Sequence, residues 1–249
     1  MKKILYILFI SGFTLQAQNT WQSCEKKEII NAYKTICDWF MQTKSYSFNL
    51  KYSSFKSHST HESEEISKGY YRRSENNFKC DAMGILNFQN NRVKITVDSA
   101  DKIISISDPT ALNFSIMEYS EMEKMLGNTK AIRKKNIGKG TMYRIDFKKN
   151  DLMEAYEFKV NDSGLLEQSV YYYSQQIEKE YPEESGQEIR EIKLKPRLEI
   201  EFSDYKYPVL FKETEFSEAG FIVTEANKLT AAAKFKNYQL IDYRYKAKK

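Results

Sequence analysis

Between Lys26 and Gln42 the apolar residues Ile29, Ile30, Tyr33, Ile36, Cys37 and Phe40 fall at the spacing of one helical stripe, which predicts an amphipathic helix. After Lys44 the period changes to two. Tyr46, Phe48, Leu50 and Tyr52 alternate with Ser47, Asn49, Lys51 and Ser53, the pattern of a strand wetted on one face only. The same alternation returns with Val93, Ile95 and Val97, with Tyr143, Ile145 and Phe147, and with Leu198, Ile200 and Phe202. Weaker strand patterns cover residues 66–72, 78–82, 85–89, 103–107, 155–160, 166–174 and 238–243. Asn90-Asn91 reads as a two-residue hairpin turn, Gly138-Lys139-Gly140 permits tight backbone, and Asn161-Asp162-Ser163-Gly164 closes another pair. Connections this short make antiparallel neighbours, so a meander of ten or eleven strands is expected.

Helical spacing reappears once in mid-chain. Asp108-Pro109 ends a strand, and Ile116, Tyr119, Met122 and Leu126 then mark a second apolar stripe stopped by Gly127. Residues 175–190, dense in Glu with Pro182 and Gly186, read as a solvated ribbon. Pro208 interrupts a late strand. Residues 217–236 have no clear period, and a short helix fits 225–234. With no internal repeat and no linker, a single domain is expected.

The first residues carry a different signal. Lys2 and Lys3 precede an apolar run from Ile4 to Leu15, followed by Gln16-Ala17-Gln18, the layout of a secretory signal peptide covering residues 1–18. An apolar run of about a dozen residues is short of the roughly 20 that span a bilayer as a helix. No later stretch is apolar enough to cross, so residues 19–249 are expected in the periplasm. Cys24 follows Thr20-Trp21-Gln22-Ser23 rather than the small residues of a lipidation site, so no lipid anchor is expected.

Composition narrows the function without naming it. The chain has 39 Lys and Arg against 34 Asp and Glu, and leaving out Lys2 and Lys3 reduces the excess from +5 to +3. These charges are interspersed rather than gathered into a basic stripe, which speaks against a nucleic-acid partner. A helix beginning just after Cys24 would separate it from Cys37 by about 20 Å, so any disulfide must use Cys80; three reduced thiols are the alternative. His58 and His61 stand in a polar loop with no third metal-ligating residue near, so neither metal nor cofactor is expected. No nucleophile elbow, phosphate loop or zinc-protease motif occurs. Glu64-Glu65 and Glu183-Glu184 read as solvated charge, no spacing joins Asp146 or Asp204 into a catalytic pair, and a non-enzymatic protein is expected. What stands out is the aromatic load, with 18 Tyr and 15 Phe in a strand-rich chain.

The order of these elements resembles a known family. The stretch KGYYRRSENNFKCDAMGILNFQNNRVKITVDSADKIISISDP is similar to the edge strand, hairpin and Asp-Pro exit of the periplasmic lipoprotein carriers and outer-membrane receptors of the LolA/LolB-like fold. AYEFKVNDSGLLEQSVYYY and RLEIEFSDYKY look like that family's closing hairpins, and the resemblance runs from about Glu28 to Phe211. It implies an α+β fold, mainly antiparallel β, in which a strongly curved open half-barrel sheet holds the helices in its concave side. Residues beyond about 216 would form a C-terminal extension without counterpart. Lys79 stands where the carriers have a lid-latching arginine. The implied function is binding of a lipid, an acyl chain or the acyl chains of a lipoprotein. Phe48, Leu50, Tyr52, Phe78, Phe88, Ile95 and Val97 would line the pocket, with Met117, Met122 and Met125 as an adaptable lid. The alternative is a non-catalytic interaction module of a cell-envelope assembly with a filled core, which would use the ribbon and the basic tail as contact surfaces. Transient contact with a membrane is compatible with either.

Overall fold

The computed structural model describes residues 20–111, 119–149, 152–180, 190–225 and 228–244. The first strand, β1 (Gln22–Ser23), is followed by helix α1 (Lys26–Gln42) and then by β2 (Ser45–Phe55), β3 (Glu65–Ser74), β4 (Asn77–Ala82), β5 (Ile85–Gln89), β6 (Lys94–Asp98) and β7 (Ile103–Ser107). After α2 (Tyr119–Gly127) come β8 (Thr129–Asn136), β9 (Gly140–Phe147), β10 (Met153–Asn161), β11 (Leu166–Tyr173), β12 (Gln176–Glu180), β13 (Arg190–Leu194) and β14 (Arg197–Lys206). The last strands are β15 (Ile222–Glu225), β16 (Lys228–Ala231) and β17 (Gln239–Asp242). Thirteen strands form one open, curved sheet in the order β1-β8-β9-β10-β11-β14-β2-β3-β4-β5-β6-β7-β17, and β12–β13 and β15–β16 are separate hairpins. The α+β half-barrel expected from the sequence is the observed architecture.

α1 buries Ile29, Tyr33, Ile36 and Phe40 against one face of the sheet, the apolar stripe read from the sequence. Burying each such side chain contributes roughly 1.5–3 kcal/mol. Phe40 meets Tyr46 and Phe48, Tyr33 meets Phe158 edge-on, and Arg73 donates to the Phe40 carbonyl at 2.8 Å. At the other end of the helix, Lys134 of β8 pairs with Glu28 at 2.5 Å. α2 adds Met122 and Leu126 to the same core.

Several expectations are corrected. The main sheet holds thirteen strands rather than ten or eleven, because β1 and β8, which no alternation marked, join it at one edge. β8 is so rich in Lys and Arg that only Ile132 and Ala131 give it apolar character, yet pairing with β9 makes it a strand. The described residues of 225–234 are not a helix: Glu225 and Lys228–Ala231 pair in the β15–β16 hairpin and Ala233–Phe235 form a 3₁₀ turn, because alternation there lets Ile222, Leu229 and Ala231 face the sheet together. β17 runs parallel to β7, and it reaches that edge only after the chain has crossed the outside of the sheet. The two-residue turn sits one position later than Asn90-Asn91, with Asn91 and Arg92 at its centre: the Asn90 N–H donates to the Val93 carbonyl, and Asn90 Oδ1 accepts from the backbone N–H of Arg92 and of Val93. The charged ribbon is present as the β12–β13 ladder, while Pro182, Glu183, Glu184 and Gly186 lie outside the described residues.

Candidate apolar binding face

Directly paired residues on neighbouring strands project on the same face of a sheet, so register decides which side chains can share a pocket. On β2 the residues facing α1 are Tyr46, Phe48, Leu50 and Tyr52. Their partners Tyr71 and Arg73 on β3, and in turn Phe78 and Cys80 on β4, continue this helix face. In the other direction Ile200 and Phe202 of β14 lie opposite Tyr52 and Leu50, and Tyr171 of β11 lies opposite Leu198.

Between β4 and β5 the apolar residues change sides. Phe78 pairs with Gln89 and Cys80 with Asn87, so the helix face of β5 to β7 carries Asn87, Gln89, Thr96 and Ser105. Phe88, Ile95 and Val97 point to the outer face with Ile104 and Ile106. The cause is the turn at Met83-Gly84, where both residues have positive φ, 52° and 78°, and Ala82 pairs with Ile85. Such a two-residue turn fixes the register, and a slip of one residue would reverse every side chain of the strand. On the outer face these residues form a second core. Phe221 packs on Phe88 with ring centroids 4.9 Å apart, and Ile222, Phe216, Leu229, Phe235 and Leu240 complete the cover. Glu215 fastens this cover to the sheet through Arg72 at 2.6 Å and Lys79 at 3.5 Å.

The residues singled out in the sequence therefore divide. Phe48, Leu50, Tyr52, Phe78 and Met122 belong to the helix-face cluster, and Phe88, Ile95 and Val97 to the outer one. Met117 lies outside the described residues, and Met125 is half-buried at the edge of the helix-face cluster. Phe48, Leu50 and Met122 are fully packed by protein. Tyr52 and Phe78 are only half-buried, and so are Cys80, Tyr171, Ile200, Phe202 and Met153, which the sequence did not mark as pocket lining. The signal for Tyr171 and Ile200 was their alternation; what was missing was the strand order that sets β14 and β11 beside β2. Ser54 and Ser67, which flank Tyr52 on this face, have little side chain to cover it.

Burial sets the chemistry of this face. It pushes the Tyr52 phenol up to about 12, with Cys80 and Tyr171 as its electrostatic neighbours, and raises Tyr71, Tyr171 and Tyr205 as well. The Cys80 thiol is raised to about 11 by burial first and Asp81 second. All these groups are neutral at physiological pH, so the face is apolar with scattered hydroxyls. The three cysteines are free thiols in the structure.

The polar candidates sit elsewhere. His58 Nε2 lies 2.9 Å from the Tyr173 carbonyl and its ring packs on Tyr172, while His61 is exposed. Asp146 is held on the outer face by Arg133 and Arg144, and Asp204 accepts from Asn49. No group of three or more metal-ligating side chains occurs among the described residues, and no helix there is long and apolar enough to cross a membrane. Two cavities among the described residues lie apart from the row at Tyr52, and the second opens beside α1 at the edge of the helix face. One of about 680 Å³ lies between Arg92 and the C-terminal hairpin, and one of about 410 Å³ lies between Thr35 and the Asn161–Gly164 turn.

No family model matches the sequence, and no curated protein matches it. Among solved structures the chain is similar to a LolA superfamily protein from Nitrosomonas europaea, at 12% identity over 75% of this chain and 96% of that one, with a TM-score of 0.30. It is similar to a DUF1329 family protein from Desulfovibrio piger at 10% identity, over 75% and 96% of the two chains, with a TM-score of 0.30. An outer membrane lipoprotein-sorting protein domain from Vibrio parahaemolyticus shares 13% identity over 77% of this chain and 95% of that one, with a TM-score of 0.28. The fold assignment rests on the strand order and register described above.

Proposed function

We propose that the chain is a non-enzymatic binder of an apolar ligand of the acyl-chain kind, acting as a carrier or sensor in the periplasm. The supporting observation is the row of half-buried apolar side chains Tyr171, Ile200, Tyr52, Cys80 and Phe78 on one face of the β11-β14-β2-β3-β4 stretch of the sheet, beside a fully packed core. An acyl chain of about 15 CH₂ groups leaves roughly 12 kcal/mol of unfavourable exposure in water, at about 0.8 kcal/mol per group. A face of neutral phenols and aliphatic chains offsets that by excluding water without burying a charge. Half-buried Met153, paired with Tyr173 beside Tyr171, repacks readily around different chain shapes. The periplasmic site of action is inferred from the signal-like first 18 residues.

Native mass spectrometry of protein recovered from a bacterial envelope is expected to show added lipid mass. Ile200→Glu places a carboxylate in the middle of the row and is expected to remove that mass while the urea midpoint stays close to the parent's. Parent protein free of extractable lipid would overturn the reading. The filled state of the core beneath α1 favours a second reading, an interaction module of an envelope assembly. In-cell cross-linking that captures a stable protein neighbour of lipid-free protein is the result expected of that module.

A further inference from the structure

The chain from Lys206 to Lys212 reads Lys-Tyr-Pro-Val-Leu-Phe-Lys, an apolar run with an ammonium group at each end. It leaves the sheet at the end of β14 and exposes what a soluble loop normally hides. Leu210 is fully exposed, Tyr207 is 47% exposed and Pro208 is exposed as well. Met41, at the C-terminal end of α1, is 65% exposed. These residues share one end of the molecule. The Tyr207 ring lies 5.3 Å from Trp39, two residues before Met41, and the Ser45 hydroxyl donates to the Val209 carbonyl.

Scattered exposed apolar side chains are ordinary, but a grouped set has a use. This loop is pinned at Tyr207 by Trp39, at Val209 by Ser45 and at Phe211 by Phe216, whose ring lies 5.3 Å away. It therefore holds Leu210 outward as a fixed projection. Lys44, Lys206 and Lys212 surround it, all exposed, and none of the three pairs with a carboxylate of the described residues. The carboxylates nearest in the chain and by contact are Asp204, which accepts from Asn49 Nδ2 at 2.7 Å, Glu75, whose N–H donates to the Lys44 carbonyl, and Glu213. Aliphatic and aromatic tips ringed by flexible ammonium groups match the interface of an anionic bilayer, where apolar side chains enter the acyl boundary and lysines reach lipid phosphates.

We propose that this tip, Met41, Tyr207 and Leu210 with Lys44, Lys206 and Lys212, is a reversible docking surface for an anionic membrane. It is separate from the apolar face on the far halves of β2, β11 and β14, so docking and ligand loading are tested independently.

The test is flotation of the full chain with vesicles of three parts phosphatidylethanolamine to one of phosphatidylglycerol, and with vesicles of phosphatidylcholine alone. The parent is expected to float with the first and to stay largely free with the second. Leu210→Ser, at a side chain that touches no core, is expected to lower the partition coefficient about tenfold. Lys206→Gln and Lys212→Gln are each expected to lower it roughly fivefold. In a Trp21→Phe background, lipids brominated near the headgroup are expected to quench Trp39 fluorescence. Native mass spectra of Leu210→Ser should keep whatever lipid the parent carries. Equal flotation of Leu210→Ser and parent, failure of the parent to float, or an unquenched Trp39 would each overturn the proposal.

Discussion

At Gly69 the β3 backbone passes so close to β4 that a Cβ would lie 2.0 Å from the Asp81 carbonyl oxygen and 3.1 Å from its carbon. The obstacle is backbone within a paired strand, so neither side can yield cheaply. Gly69→Ala is expected to destabilise the protein by more than about 2 kcal/mol, read as a lower urea midpoint at unchanged slope. Gly84 resists substitution for a different reason, since a Cβ there meets nothing but φ is held at 78°, whereas Met83 already carries a side chain at φ 52°. Cys24, raised to about 11 by burial first and Glu28 second, is expected to alkylate far more slowly at pH 8 than a free cysteine, with a rate that climbs with pH toward 11.

Among the elements, the C-terminal segment contributes most that pattern reading did not anticipate. From Phe216 to Leu240 it supplies a cover for five strand residues that would otherwise be an exposed apolar sheet face, Phe88, Ile95, Val97, Ile104 and Ile106. Phe221 is its anchor, buried and touching both Phe88 and Phe235. Phe221→Ala is expected to cost about 3–5 kcal/mol, measured by chemical denaturation, and to raise binding of a hydrophobic dye. Glu215→Gln removes a partner of Arg72 and Lys79, each part-exposed, and is expected to cost about 1 kcal/mol or less. The contrast separates burial from ion pairing as the force that holds the segment down.

For the molecule as a whole, the aromatic interior makes stability sensitive to alkali. Tyr52, Tyr71, Tyr156 and Tyr205 all have phenols raised by burial, so the folded state keeps protons that the unfolded chain releases near pH 10. Their contribution is fully present below that range and is lost as pH rises toward the folded-state values. The urea midpoint is therefore expected to be level with respect to these groups up to about pH 9 and to fall steeply between about 10 and 12. The local order of the chain by itself determined the period of each element: α1 with its stripe, the alternation of β2, β6, β9 and β14, and the mainly antiparallel character that short turns impose. It also supplied Tyr52 and Phe78 as members of one apolar face. The tertiary structure alone decided which face each strand turns to the helix, because alternation says which residues agree with one another and register says where they point. A two-residue turn at Met83-Gly84 sends Phe88, Ile95 and Val97 outward, and long-range pairing brings Tyr171 and Ile200 to Tyr52. Strand β8 and the cover from Phe216 onward exist only because partners distant in sequence give them something to pair with or to bury, and the same long-range pairing sets β17 parallel to β7.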